Sequence, residues 1–328
     1  MSCGGWRGAG KKRLLGLASG LTLISLVSGG AAGSATRPAA HGAALTPVTI
    51  ALLPLEPAAL ALYAHHRGFF ARQGIASKPL PLSAPEQLTA ALFAGEAQVA
   101  GFNVGGAAIL KTRNAPIRVI AAGALYRPAA PTSALVAAPG RTITRARDLI
   151  GKQVAIDQRN TIAHIALLKW LKRGGVSPEQ VHLREIVFPL MLGPLRRGQV
   201  DAAVLPEPFL TQAVRNGARR VARIIDAVCA QDCLLTVWMT RKDLDPTLAA
   251  RFRNAIQAAA VWANRPGNDA ASAAILSKYV SVSKPVLATM TRTRFAERLR
   301  PAQAQPWIDA YAEFGVIPQS FRAIDLVR

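Results

Sequence analysis

The chain has 328 residues, 51% of them hydrophobic and 18% charged, with a formal net charge of +22. This apolar content can fill a substantial core and excludes extensive disorder, and the length fits two α/β lobes better than one small domain. The excess of base does not indicate a nucleic-acid binder. Arginines are scattered singly or in pairs such as Arg196-Arg197 and Arg219-Arg220, with no recognition-helix signature and no basic run interleaved with aromatics.

The N-terminal segment reads as an export signal. Arg7, Lys11, Lys12 and Arg13 precede an apolar run at 14–27, and small residues then lead to Gly33-Ser34-Ala35. The run is shorter than the roughly 20 residues a spanning helix needs, so residues 1–35 are expected to be a cleaved signal peptide rather than a retained anchor. Cys3 lies ahead of the apolar run, where no lipid-accepting cysteine would stand. Residues 36–46 are small, polar and proline-containing, a linker to the fold.

Strand and helix patterns then alternate. A strand at 48–53 runs into Pro54, and a helix opens near Glu56-Pro57, with proline in the favoured first turn, and stops at Gly68. The chain is extended from 78 to 82. A helix at 85–94 ends at Gly95, a strand follows at 98–102, a helix at 105–113 and strands at 117–122 and 133–138. After a short helix near 145–150, a second series begins: a strand at 153–156, a helix at 161–173, a strand at 181–188, a helix at 190–197, a strand at 200–205, and a helix from Pro208 to Gly217. From Asp243 onward the pattern is helical, with no strong strand signal. Such alternation predicts parallel sheets covered on both faces. Two series joined near 133 and 235 predict a first lobe from 47–133 and 235–328 and a second lobe from 134–234.

Two cysteines, Cys229 and Cys233, follow the signal segment. In an exported protein their C-x-x-x-C spacing reads as a local disulfide. A metal site would want further Cys or His nearby, and the closest histidine in sequence is His182. His65 and His66 are adjacent and diverge on a helix, which makes them a poor metal pair. No nucleophile-elbow, triad or paired-carboxylate spacing is recognisable.

Several stretches, taken in order, carry a family likeness: Pro54-Leu55-Glu56 after the first strand, YAHHRGFFARQGI (63–75), QLTAALFAGEAQVAGFN (87–103), DLIGKQVAI (148–156), LRRGQVDAAVLPEPF (195–209) and IDAYAEFGVIP (308–318). The order resembles the nitrate/sulfonate/taurine branch of periplasmic binding proteins, which includes binders of pyrimidine precursors. The resemblance implies an α/β, two-lobed type II periplasmic-binding fold with a central ligand cleft. It also implies a periplasmic, monomeric protein that captures a small solute and hands it to an ABC permease, with no catalysis, cofactor or nucleic-acid partner. An exported enzyme or a ligand sensor on the same fold is the alternative. One departure bears on the ligand. Where the family often has a Gly-Ser-Thr-like turn, this chain has Asp157-Gln158-Arg159-Asn160-Thr161.

Open α/β sheets bind ligands at the carboxyl ends of their strands. That rule nominates Pro54, Leu55 and Glu56 after the first strand, and Asn103, Val104 and Gly105 after the third. Gln158, Arg159, Asn160 and Thr161 open the second-lobe helix, and Glu207 and Pro208 follow the strand at 200–205; Arg127 is a weaker candidate. Asn103 has an amide suited to a polar head group, and Arg159 has the fork to hold a sulfonate or carboxylate. Glu56 alternatively complements a helix dipole and Glu207 braces the crossing. With both glutamates and Arg159 facing the cleft, a zwitterion or amino-substituted ring is expected. Phe102, Phe188 and Phe209 sit at strand ends, more often core than ligand platform. Trp170 reads as core, and His164 as a residue that approaches the cleft or the surface.

Overall fold

The structure is a computed structural model that describes residues 44–327. The signal segment at 1–35 and all but the end of the linker lie outside the described residues. Strand β1 (Thr46–Leu52) leads through a 3-10 turn at Glu56–Ala58 to α1 (Leu60–His66) and α2 (Phe69–Arg72), followed by β2 (Ile75–Pro81), α3 (Pro85–Phe93), β3 (Val99–Asn103), α4 (Val104–Thr112) and β4 (Ile117–Ala122). A short β5 (Ala124–Tyr126) precedes β6 (Ser133–Ala137), β7 (Gln153–Ile156), α5 (Ile162–Arg173), β8 (His182–Glu185), α6 (Phe188–Arg196), β9 (Ala202–Pro206), α7 (Phe209–Arg215) and β10 (Arg219–Ala222). The remainder is β11 (Cys233–Leu234), β12 (Thr236–Arg241), α8 (Pro246–Ala263), α9 (Asp269–Leu276), α10 (Lys284–Thr289), β13 (Arg294–Phe295) and α11 (Gln305–Glu313).

Two five-stranded sheets result, one in the order β2-β1-β3-β12-β4 and the other β10-β6-β9-β7-β8. Both are mixed, not parallel as the alternating pattern predicts. β12 runs antiparallel between β3 and β4, and β6 runs antiparallel to β9 and β10. The reason is topological: β6 is the first strand laid down in the second sheet and β12 the strand that returns to the first. Neither arrives through a helical crossover, so neither need be parallel. The two connecting segments also pair with each other, because β5 lies between β11 and β13 in a three-stranded antiparallel sheet. Cys229 and Cys233 form a disulfide beside β11, with Cα atoms 6.0 Å apart.

In the first sheet, β2 to β3 and β3 to β4 move in one direction across the strand order, and β1 to β2 moves in the other. Right-handed crossovers therefore put α3 and α4 together on one face and α1 on the opposite face. There α1 packs with α8, where Tyr63 meets Trp262 edge-on at 6.0 Å. Boundaries differ from the sequence pattern by a few residues, most where proline intervenes. The strand expected at 181–188 stops at Glu185, because Pro189 occupies the first turn of α6.

Candidate functional site: a cavity at the strand ends of both sheets

A cavity of about 650 Å³ opens where the two sheets face each other. Its wall follows the strand ends: Leu53 and Leu55 beyond β1, Phe102 and Asn103 at the end of β3, Asp157 to Thr161 beyond β7, and Pro206 at the end of β9. The antiparallel strands contribute their amino ends, Thr132 and Ser133 from β6 and Leu235 and Thr236 from β12. The strand-end rule thus gathers residues from both sheets around one space.

The turn before α5 is the most polar part of the wall. Asn160 takes the left-handed conformation (φ 61°) in which asparagine is tolerated, and its N–H donates to Nδ1 of His164 at 3.0 Å. Thr161 caps α5: its hydroxyl donates to Asp157 Oδ1 at 2.8 Å and accepts from the His164 N–H. Burial pushes the Asp157 carboxyl up to about 6, against the lowering hydrogen bond from Thr161. Burial also lowers His164 to about 4, so its ring is neutral at neutral pH. The N–H groups of Thr161, Ile162 and Ala163 have no partner among the described residues, and all three residues line the cavity. On the same lining, Ser133 is 8% exposed and makes no side-chain hydrogen bond among the described residues, and the buried Thr132 hydroxyl has none either. Free N–H groups at a helix start and unsatisfied hydroxyls on the same cavity wall can together accept an anion.

The sequence-nominated residues divide sharply. Leu55, Asn103, Gln158, Arg159, Asn160 and Thr161 line the cavity; Pro54, Glu56, Val104, Gly105, Glu207 and Pro208 do not. Glu56 has no exposed surface. It accepts from Tyr63 Oη at 2.7 Å, pairs with Arg292 at 3.2 Å and accepts from the Thr293 N–H at 3.4 Å, and burial raises its pKa. Glu207 is equally enclosed. It is held by the Thr211 N–H and hydroxyl at 3.0 and 2.9 Å and by the Thr291 N–H at 3.3 Å, and burial raises its pKa as well. Both carboxylates therefore stitch the strand-end turns to residues 291–293, and the expected pairing of two facing acids with Arg159 is overturned. Gly105 has a packing role, since a β-carbon there would stand 1.8 Å from the Tyr311 ring. Tyr311 in turn donates to the Asn160 carbonyl at 3.0 Å, so α11 touches both α4 and the α5 turn. Val104 is buried, and its N–H donates to the Leu235 carbonyl.

Arg159 is on the wall, but its guanidinium pairs with Glu185 at 3.2 Å. Asn103 uses its Oδ1 to cap α4 through the Gly106 N–H at 2.7 Å. Arg127 is off the wall and pairs with Asp232 at 3.5 Å. Phe102 and Phe188 line the cavity, Phe209 stacks behind Phe188 at 6.4 Å, and Trp170 packs against the core. The charged wall residues missed in the sequence, Glu86, Arg113 and Asp157, come with Thr132 and Ser133. Glu86 lies on α3 and Arg113 caps the C-terminus of α4, where an exposed position carries no mark distinguishing cavity from solvent.

Comparison with known proteins agrees with this architecture. The taurine-binding periplasmic protein of Escherichia coli is 28% identical over 190 residues, 54% of this chain and 57% of that protein, so the chain spans little more than half the length of this curated relative. The periplasmic nitrate-binding protein of Synechocystis PCC 6803 superposes with a TM-score of 0.74 at 14% identity, covering 86% of this chain and 85% of that one. A desulfurization enzyme shares the fold at 17% identity and a TM-score of 0.62, with 86% and 96% covered. The family model described as NMT1/THI5 like matches residues 58–268. With two sheets meeting at a strand-end cavity and most of the chain matched, the protein belongs to the NMT1/THI5-like family.

Proposed function

We propose that this protein is the extracytoplasmic solute-binding component of an ABC importer, a monomer that captures a small organic anion between its sheets and passes it to a membrane permease. The observation that carries the reading is the wall at Ser133 and Thr161–Ala163, with open N–H and hydroxyl groups on a cavity of about 650 Å³. The taurine-binding relative supports a sulfonate-type head group. The residues assigned to ligand are Asn160, Thr161 and Ser133, with Gln158 and Asn103 at the rim. Glu56 and Glu207 hold the framework instead.

Ligand bound to the α5 turn and to β6 also meets Leu55, Phe102 and Asn103 of the first sheet. It therefore favours the arrangement in which both sets of strand ends are close, and a permease that recognises that arrangement receives only loaded protein. The N-terminal pattern at 1–35 supports export.

The test is isothermal titration of the periplasm-purified protein with sulfonates, carboxylates and nitrate, with each mixture followed by mass spectrometry. Saturable one-to-one binding with the solute recovered intact is the expected result. Conversion of a bound solute would transfer the site to the enzyme reading, which the desulfurization enzyme of like fold makes concrete.

A further inference from the structure

The open N–H groups of the α5 turn are held in place partly from outside the turn. Asn160 stands in the left-handed conformation (φ 61°), which asparagine tolerates but does not prefer, so other contacts must keep the turn in one shape. Both peptide units flanking Asn160 are gripped: its N–H donates to His164 Nδ1 at 3.0 Å, and its carbonyl accepts from Tyr311 Oη at 3.0 Å. No other donor reaches that carbonyl among the described residues. The peptide joining Asn160 to Thr161 is trans and planar, so its carbonyl and the Thr161 N–H point in opposite directions. A bond that draws the carbonyl toward α11 therefore turns the Thr161 N–H away from α11, and that N–H is one of the unpartnered donors on the cavity wall.

Tyr311 is itself fixed. It has no exposed surface, and its ring and hydroxyl occupy the space that a β-carbon at residue 105 would need. The Val316 N–H donates to the Tyr311 carbonyl at 2.9 Å, which closes the end of α11 back onto it. Further along α11, Glu313 pairs with Lys169 and Lys172 of α5, the latter at 2.9 Å, so the helix is tied to α5 at a point separate from the turn. Tyr311 is not on the cavity wall. We infer that it is a positioning residue for solute binding: its hydroxyl, carried by α11, sets the orientation of the Asn160–Thr161 peptide before solute arrives, so that less ordering remains to be done on binding. This rests on the binding reading above and adds to it a residue that does not touch the solute.

The experiment is calorimetric titration of ethanesulfonate, acetate and nitrate into the wild-type protein, Tyr311→Phe and Ile308→Val, with thermal unfolding of each protein measured without solute. Tyr311→Phe keeps the ring against Gly105 and removes only the hydroxyl. Ile308 shares α11 and has no exposed surface, and shortening it leaves the Tyr311 hydroxyl in place. Both variants are expected to melt a few degrees below wild type, because a lost hydrogen bond and a lost buried methyl group cost similar amounts. Titrated well below either transition, only Tyr311→Phe should bind more weakly, by about threefold to tenfold. Wild-type affinity in Tyr311→Phe overturns the inference and leaves the solute-binding reading standing. Equal losses of affinity in the two variants also overturn it, since the hydroxyl would then act only through the stability of α11. If none of the three solutes binds the wild type, the solute-binding reading falls and this inference falls with it.

Discussion

The two glutamate-bearing turns and the turn before α5 occupy equivalent places, each just beyond the carboxyl end of a strand, yet they are put to opposite uses. Around Glu56 and Glu207 every carboxylate oxygen has a partner: Tyr63, Arg292 and Thr293 for the first, Thr211 and Thr291 for the second. The backbone joins them as well, with the Glu56 N–H donating to the Glu207 carbonyl at 3.2 Å. At 157–163 the side chains satisfy one another but leave a row of N–H groups facing the cavity. A buried acid with all its partners in place is a fastener; a half-satisfied turn at a helix start is free to take an acceptor. Polarity at a strand end therefore marks a site only where it has been left unanswered.

The sharpest way to break this contrast is Arg292→Met. Arg292 also bonds the Tyr63 and Ser272 hydroxyls, and its loss leaves Glu56 enclosed without its cation. The expected cost is about 3–5 kcal/mol of unfolding free energy in denaturant titrations, with the folded fraction still binding solute. Full stability with impaired binding would move Glu56 to the side of the open turn. Thr161→Ala strikes the open turn: stability falls by about 1 kcal/mol through the lost cap, and solute affinity falls by roughly tenfold as the α5 start loses its geometry. Calorimetry on the same sample separates the two effects.

The smallest effect is a pH dependence. Asp157, raised to about 6, is charged at pH 7.5 and loses its charge as the pH falls through 6. Removing a negative charge from the wall strengthens anion binding, so affinity for a sulfonate, whose own charge is constant, should rise severalfold between pH 7.5 and pH 5. The same raised value means the fold gains stability from this group as pH falls, and loses it as pH rises through 6. In Asp157→Asn the affinity should be level across that range; persistence of the slope would assign it to another group.

Much of the fold was legible in the sequence because strands and helices announce themselves by local periodicity. The alternation from 48 to 217 and the stop at Gly68 both act over a few residues. The antiparallel insertion of β12 was not legible, since strand direction is decided by where the chain re-enters a sheet rather than by its side chains. In the site, the turn at 158–161 and Leu55 could be nominated from strand ends alone. Glu56 and Glu207 could not be separated from them. Their partners Arg292, Thr291 and Thr293 lie more than eighty residues away in sequence, and only assembly shows those partners to be present.

The sequence by itself determined an α/β chain with two series of elements, the family pattern and the polar turn that opens α5, because propensity, capping and proline placement are local forces. The tertiary structure alone decided which polar groups remain free and how large a space they face. Satisfaction of a buried group depends on distant residues, and the size of the cavity depends on how two sheets, each ordinary on its own, come to face each other.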